Sequence, residues 1–269
     1  MKPLLLEILR DQPDDFRRRS TVREYLQARI LLALHDSGAF SDWAFVGGTA
    51  LRFLFQLPRY SEDLDFSLAN PGENARFEKH MQSVGKDLAL EGYDVEILPR
   101  PRPPVATAAI KIRGLLYEIG LSPHPSEVIM VKVEIDTNPP RGARTTTRLV
   151  RRFVWLNLLH YDRKSLLAGK LRAVLMRKYT KGRDLYDLGW YLADPTWPAP
   201  NLVQLNNALR QSGWDAPNVT PANWRGLIRN KLNTIDWEQV LRDVSPFLER
   251  RQDMALISRD VLLRLLADP

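Results

Sequence analysis

Asp63 and Asp65 stand two residues apart in the run RYSEDLDFSL at 59–68, where alternation places them on one side of a strand together with Ser61. Same-side residues of a strand lie roughly 6.5 to 7 Å apart, so the two carboxylates can grip one or two divalent cations between them. Without a positive charge they repel each other. Two cations about 3.5 to 4 Å apart would clamp the attacking and leaving oxygens of an in-line phosphoryl displacement. Such a cage needs a third carboxylate from a neighbouring strand, and VIMVKVEIDT at 128–137 offers Glu134 or, failing that, Asp136.

Upstream, Gly47 and Gly48 follow the short apolar run Trp43 to Val46 and precede Thr49 to Gln56, whose Ala50, Leu51, Leu54 and Phe55 are spaced as on a helix that Pro58 closes. Glycines let backbone N–H groups approach a polyphosphate closely, and the positive end of the following helix faces it. A double glycine by itself is most often a structural turn, and a pair of aspartates by itself is most often a solvated strand face. Their joint order is what points to phosphate chemistry: strand, glycine turn, helix, acidic strand, later acidic strand.

The elements around this order are legible in outline. Leu26, Ile30, Leu31 and Leu34 mark an amphipathic helix over 21–37, and another runs from Arg76 to Glu91. Alternating runs follow at Tyr93 to Leu98, Ala109 to Arg113, Leu116 to Leu121 and Val128 to Thr137, with the PRPRPP at 99–104 as a loop at the sheet edge. Beyond Lys164 the spacing is helical: 166–179, 184–192, 202–212, 222–232 with Thr220 as cap, 237–248 after Asp236, and 254–266. This is an α+β pattern, with a sheet-bearing part over 1–162 and a helical part over 163–269.

With 269 residues, 44% of them apolar, the chain can bury a full core. It has no Cys, which excludes disulfides, thiolate zinc sites and a Cys nucleophile, and its four His show no ligand spacing, so any metal is held by oxygen. No apolar run spans a bilayer and the N-terminus gathers charge early, so a cytoplasmic protein without membrane contact is expected. The net charge is +7, and between Pro139 and Arg183 stand 13 Lys or Arg against the one acid Asp162. A solvated cationic face and a polyanion footprint are equally good readings of that run alone.

The strand, glycine turn, helix and DxD order resembles the DNA polymerase β-like nucleotidyltransferases. SLLAGKLRAVLMRKYTKGRDLYDL at 165–188 is similar to the Lys helix and (K/G)RDxxDL element of the AbiEii/AbiGii toxin family, whose relatives include the MenT toxins, and RYSEDLDFSL is similar to that family's R-x-S-x-D-x-D-F strand. The resemblance spans Trp43 to Leu192. It implies a polymerase β-like core and a toxin that uses one or two Mg²⁺ and an NTP, with Asp63, Asp65 and Glu134 on the metal, KVEI aligning with a family strand of the form K-h-D/E-h.

It further implies an NTP held by Gly47, Gly48, Thr49, Ser61, Lys170 and Arg177, and a catalytic role for Lys170 and Asp184, where a plain basic helix and an N-cap are the alternatives. Asp187 is read as structural. The implied acceptor is RNA, above all the 3′ end of tRNA, whose modification would stop translation, and a cognate antitoxin is the implied partner. A phosphate on Ser61 would add roughly −1.5 to −2 charges beside the aspartates. Transfer to a protein side chain, GTP binding with another outcome, and RNA binding on a retired scaffold stay open. A nuclease is disfavoured, because its (D/E)-x-K order is reversed in Lys132-Val133-Glu134.

Overall fold

The computed structural model describes residues 2–70 and 74–267. The chain divides into two compact units, one of Met1–Phe55, Tyr60–Pro139 and Thr147–His160, the other of Gln56–Arg59, Pro140–Thr146 and Tyr161–Pro269. The first is built on a sheet and the second on helices, and the chain passes between them several times.

In the sheet unit, helices α1 (Lys2–Arg10) and α2 (Asp15–Asp36) come first. α2 thus begins six residues before the helix expected over 21–37, and Asp14 caps it by accepting the Arg17 N–H at 2.8 Å. Strand β1 (Trp43–Val46) runs directly into α3 (Gly47–Phe55), followed by β2 (Leu64–Leu68), α4 (Phe77–Leu90), β3 (Asp94–Arg100), β4 (Val105–Arg113), the short α5 (Leu115–Glu118), β5 (Val128–Asp136), β6 (Thr145–Arg152) and β7 (Val154–Tyr161). The seven strands lie in the order β3-β4-β5-β2-β1-β7-β6. β1 is antiparallel to β2 and parallel to β7, β2 is parallel to β5, and β3, β4 and β5 form an antiparallel meander.

One face of this sheet carries the core. Val131, Val133 and Ile135 of β5 are buried while Lys132, Glu134 and Asp136 are half-exposed, the alternation expected where one side of a sheet is covered. Phe45, Phe66, Ile110, Ile112, Leu156 and Leu158 join the same cluster with α2, α3 and α4 residues such as Leu31, Leu54 and Met81. Beneath them a buried Glu24 is held by Arg52 and Arg152, so its charge is neutralised where water is excluded.

Three expectations change. The strand over 60–68 shrinks to Leu64–Leu68, because β1 is four residues long and pairs only with 65–68. The alternating run 116–121 is not a strand: Leu115 and Leu116 are buried from the turn of α5. The stretch 145–161, to which the sequence pattern assigns no strand, forms two: the arginine-rich β6 and the apolar β7.

The helical unit holds α6 (Arg163–Met176), α7 (Gly182–Ala193), α8 (Leu202–Gln211), α9 (Trp224–Leu232), α10 (Trp237–Val244) and α11 (Arg259–Leu265). α6 packs on α7, α8 and α9, and α7 on α10 and α11. α6 ends at Met176, so Arg177 is its C-cap and Lys181 the residue before α7, and neither continues the face of Lys170. Asp184 lies inside the first turn of α7 and is not its cap. Asp236 caps α10 as its position promises, whereas α9 starts after Asn223 rather than at Thr220. The stretch 254–266 is broken, with a 3₁₀ turn ending at Leu256 and α11 capped by Ser258.

Candidate active site

The acidic strand and the glycine turn meet because β1 is so short. Its last residue, Val46, lies opposite Asp65, and Asp65 is in turn the register partner of Glu134 on β5. Turn, aspartate and glutamate form one row across three strands. Asp136 pairs with Ser67 farther along, and its carboxylate accepts the Asn138 N–H at 2.9 Å, so it serves the turn that ends β5.

Gly47 has φ +79°, a left-handed conformation that glycine adopts at little cost. A Cβ there would overlap Asp65 Oδ2 and stand 3.0 Å from the Asp65 Cβ. The carboxylate is thus pressed against the head of α3. Replacing Gly47 by Ala is expected to cost about 1–3 kcal/mol of stability through the forbidden φ and to push Asp65 out of the row. Urea unfolding and a transfer assay on the variant would check both parts, and wild-type behaviour in either would contradict this geometry.

Asp63 and Ser61 precede β2 rather than lying in it. The backbone of that segment is held by side chains instead of a strand ladder. The Gln27 amide donates to the carbonyls of Ser61 (3.0 Å) and Glu62 (2.9 Å), and the fully buried Thr49 donates its hydroxyl to the carbonyl of Asp63. The hydroxyl of Thr49 therefore fixes the position of Asp63 through the main chain.

Lys132, two residues before Glu134 on the same side of β5, ion-pairs with the Glu134 carboxylate. Its ammonium is held above the usual lysine range, first by that hydrogen bond, against some burial, and then by the charges of Glu134, Asp63 and Asp65. The field of three carboxylates thus converges on one cation. Among the described residues no group of three His, Asp or Glu side chains closes on a common point, and Glu134 is turned to Lys132. The donors are all oxygens with a concentrated negative field, which suits a hard divalent ion.

The helical unit carries a second cluster. Lys170 on α6, its side chain 11% exposed, places Nζ 2.7 Å from Asp184 and 2.7 Å from Asp187 of α7. Arg59 grips Asp187 with two parallel bonds, Nε to Oδ1 at 2.6 Å and an Nη2 bond to Oδ2 at 2.7 Å. Arg177 stands 3.1 Å from Asp184 Oδ2, an oxygen that is buried yet accepts no hydrogen bond. Burial works to raise the pKa of Asp187, but Arg59 and Lys170 outweigh it and hold that pKa below its ordinary value. Burial likewise opposes the charge of Lys170, and Asp184 and Asp187 override it, so its pKa is raised.

α7 can begin so close to α10 only because residue 182 is glycine: a Cβ there would overlap the Val240 carbonyl, and its N–H donates to Asp243 at 2.6 Å. The sequence pattern singles out Lys170, Asp184 and Arg177 and reads Asp187 as structural, in keeping with its buried ion pairs, but it gives Arg59 no role. The signal for both was present, since Arg59 opens the RYSEDLDFSL run and Asp187 stands one turn beyond Asp184. The acidic row with its glycine turn belongs to the sheet unit, and the Lys170 cluster to the helical unit.

A seven-stranded mixed sheet with a short strand running through a glycine turn into a helix is the fold shared with nucleotidyltransferases of known structure. Residues 29–258 match the family of nucleotidyl transferase AbiEii toxins of type IV toxin-antitoxin systems, and the chain belongs to that family. A nucleotidyltransferase structure from H. pylori superposes with TM-score 0.54 at 16% identity, covering 92% of this chain and 94% of its own. MenT4, a nucleotidyltransferase toxin from Mycobacterium tuberculosis, superposes with TM-score 0.51 at 16% identity over 98% of this chain and 99% of its own. JHP933 from Helicobacter pylori gives TM-score 0.51 at 17% identity over 92% and 91%. No curated protein sequence matches the chain.

Membership implies an antitoxin as partner. Among the described residues no helix is long and apolar enough to cross a membrane.

Proposed function

We propose that the protein transfers a nucleotide from an NTP to an RNA acceptor, the 3′ end of tRNA, and that this modification blocks translation. The observation that carries the reading is the row formed by the Gly47 turn, Asp65 and Glu134. In it the backbone N–H groups at Gly47 and Gly48, with the positive end of α3, take the triphosphate. Asp63, Asp65 and Glu134 would hold Mg²⁺, and the Lys132 ammonium is drawn to the same carboxylates. A metal bound there would supply charge neutralisation on the phosphates and a lower pKa for the attacking hydroxyl.

That hydroxyl gives its proton to Glu134 or Asp63, forms a bond to the α-phosphorus, and the bond to pyrophosphate breaks. Lys170, Asp184 and Arg177 are proposed as the groups of the helical unit on which the reaction depends. RNA is preferred to a protein acceptor because 13 Lys or Arg between Pro139 and Arg183 face one acid, and a phosphate backbone needs several such contacts.

The test incubates the protein with total tRNA, Mg²⁺ and each α-labelled NTP in turn. Label on tRNA supports the reading, label on protein replaces the acceptor, and no label with shortened RNA replaces the reaction. Ser61, half-exposed beside the aspartates, gives a further expectation. Ser61→Glu should weaken NTP binding about tenfold or more by like-charge repulsion. Unchanged affinity in isothermal titration would rule out control through a charge at this position.

A further inference from the structure

The side of the sheet that carries Asp65 and Glu134 continues, two strands away, into an exposed aromatic and basic ridge. Phe45 is the register partner of His160 and stacks on Phe66 in the core, so His160, Leu158 and Leu156 point to the covered side of β7. Leu159, Asn157 and Trp155 therefore point to the open side, the side of Asp65. On the neighbouring β6, Val150 is buried, and Arg148 and Arg152 lie over Phe55 and Phe53 of α3. Arg151 and Leu149 alternate with them and face out.

The guanidinium carbon of Arg151 stands 5.7 Å from the centre of the Trp155 ring, within cation-π reach. Trp155 is 61% exposed and Leu149 62%. Both stand on the open side of adjacent strands, and Trp155 there adjoins the Arg151 guanidinium. Arg148 and Arg152 lie over α3, so Arg151 is the arginine of 147–160 that charges the open side, and the stretch has no Asp or Glu, which favours an anionic partner. Trp155 lies five residues before His160, about 17 Å along the strand from the row of Phe45.

We infer that Trp155 and Arg151 form a platform on which an unpaired base of the RNA acceptor stacks, several nucleotides before the 3′ hydroxyl, with Arg151 on the adjoining phosphate. The inference rests on the RNA reading above. Every base has a π-face and a neighbouring phosphate, so an exposed indole beside a guanidinium suits a single strand, whereas a duplex keeps its bases stacked on each other. The acceptor is then an RNA with a single-stranded 3′ tail.

The test measures fluorescence anisotropy of a labelled RNA stem with a single-stranded 3′ tail, and of the same stem cut blunt, against the wild type, Trp155→Ala, Trp155→Phe and Arg151→Ala. NTP binding is measured on each protein. Trp155→Ala is expected to weaken the tailed RNA roughly 5- to 100-fold, Trp155→Phe to stay within a few-fold of wild type, and NTP affinity to stay unchanged. Wild-type binding of tailed RNA by Trp155→Ala, or equal losses on tailed and blunt RNA, would overturn the platform.

The two readings fail separately. Tail binding that depends on Trp155, with no nucleotide added to any RNA, keeps the platform and removes the transferase role on RNA. Nucleotide addition to tRNA with undiminished kcat/KM in Trp155→Ala removes the platform and keeps the transferase. If Trp155→Ala leaves RNA alone but releases a co-purified protein partner, the ridge is a protein interface and the inference is overturned.

Discussion

Asp65→Asn is expected to lower nucleotide transfer by at least about 10²- to 10³-fold while leaving the folded state as stable as the wild type or slightly more so. The two effects have opposite sign because Asp65 stands in a row of like charges. Glu134 is its register partner on β5, Asp63 precedes it, and the Lys132 ammonium is drawn to all three carboxylates. Removing one of three carboxylates relieves repulsion in the free protein and removes a donor from the ion that neutralises the triphosphate. Thermal unfolding adds a readout that does not depend on turnover. Mg²⁺ should raise the wild-type Tm and raise that of Asp65→Asn less. A variant that loses activity and stability together would mean that Asp65 holds the fold, and a variant that keeps activity would remove it from the site.

The second large effect belongs to the helical unit and concerns stability. Asp187 is fully buried between Arg59 and Lys170. Asp187→Ala leaves two buried cations short of a partner, which costs about 3–5 kcal/mol and lowers Tm by on the order of 10 °C. Differential scanning calorimetry would check it, and a loss under about 1 kcal/mol would show that water reaches the cluster. Replacing Arg59 and Asp187 together by Met and Leu is expected to recover much of the loss, since the cost is that of a stranded charge.

The same group sets a pH dependence. Its folded pKa lies below the unfolded value, so its contribution is complete above about pH 4 and is lost as the pH falls toward the folded value. Lys170 acts at the other end, because its folded pKa is raised: its contribution is complete below the ordinary lysine value and is lost as the pH rises through the folded one. Acid unfolding of Asp187→Asn should therefore start from a lower plateau and fall less steeply below pH 4 than that of the wild type.

Much of the sheet unit is legible in the sequence. Alternation in VIMVKVEIDT gives β5 and puts Glu134 and Asp136 on the uncovered side, because a strand with one buried face must alternate. The double glycine gives the turn into α3, and the helical spacing beyond Lys164 gives α6 to α8 to within a few residues. Local rules suffice where the chain's own neighbours decide the conformation.

Pairing between distant segments does not follow from such rules. That Asp65 lies beside Glu134 and not Asp136 is a matter of register between β2 and β5, set by which rows of Leu64, Phe66, Val133 and Ile135 fill the core. That Asp63 stands outside the strand follows from the length of β1 and from the Gln27 and Thr49 side chains that hold its segment. The three arginines of β6 mask its alternation, and β7 escapes the sequence reading although Leu156 and Leu158 alternate with Trp155 and Asn157. Arg59 and Asp187 are 128 positions apart, and only packing at a buried site brings such charges into contact. Residue types and spacing determined which chemistry this chain carries, and the tertiary structure decided which side chains meet to perform it, because burial and register depend on partners far away along the chain.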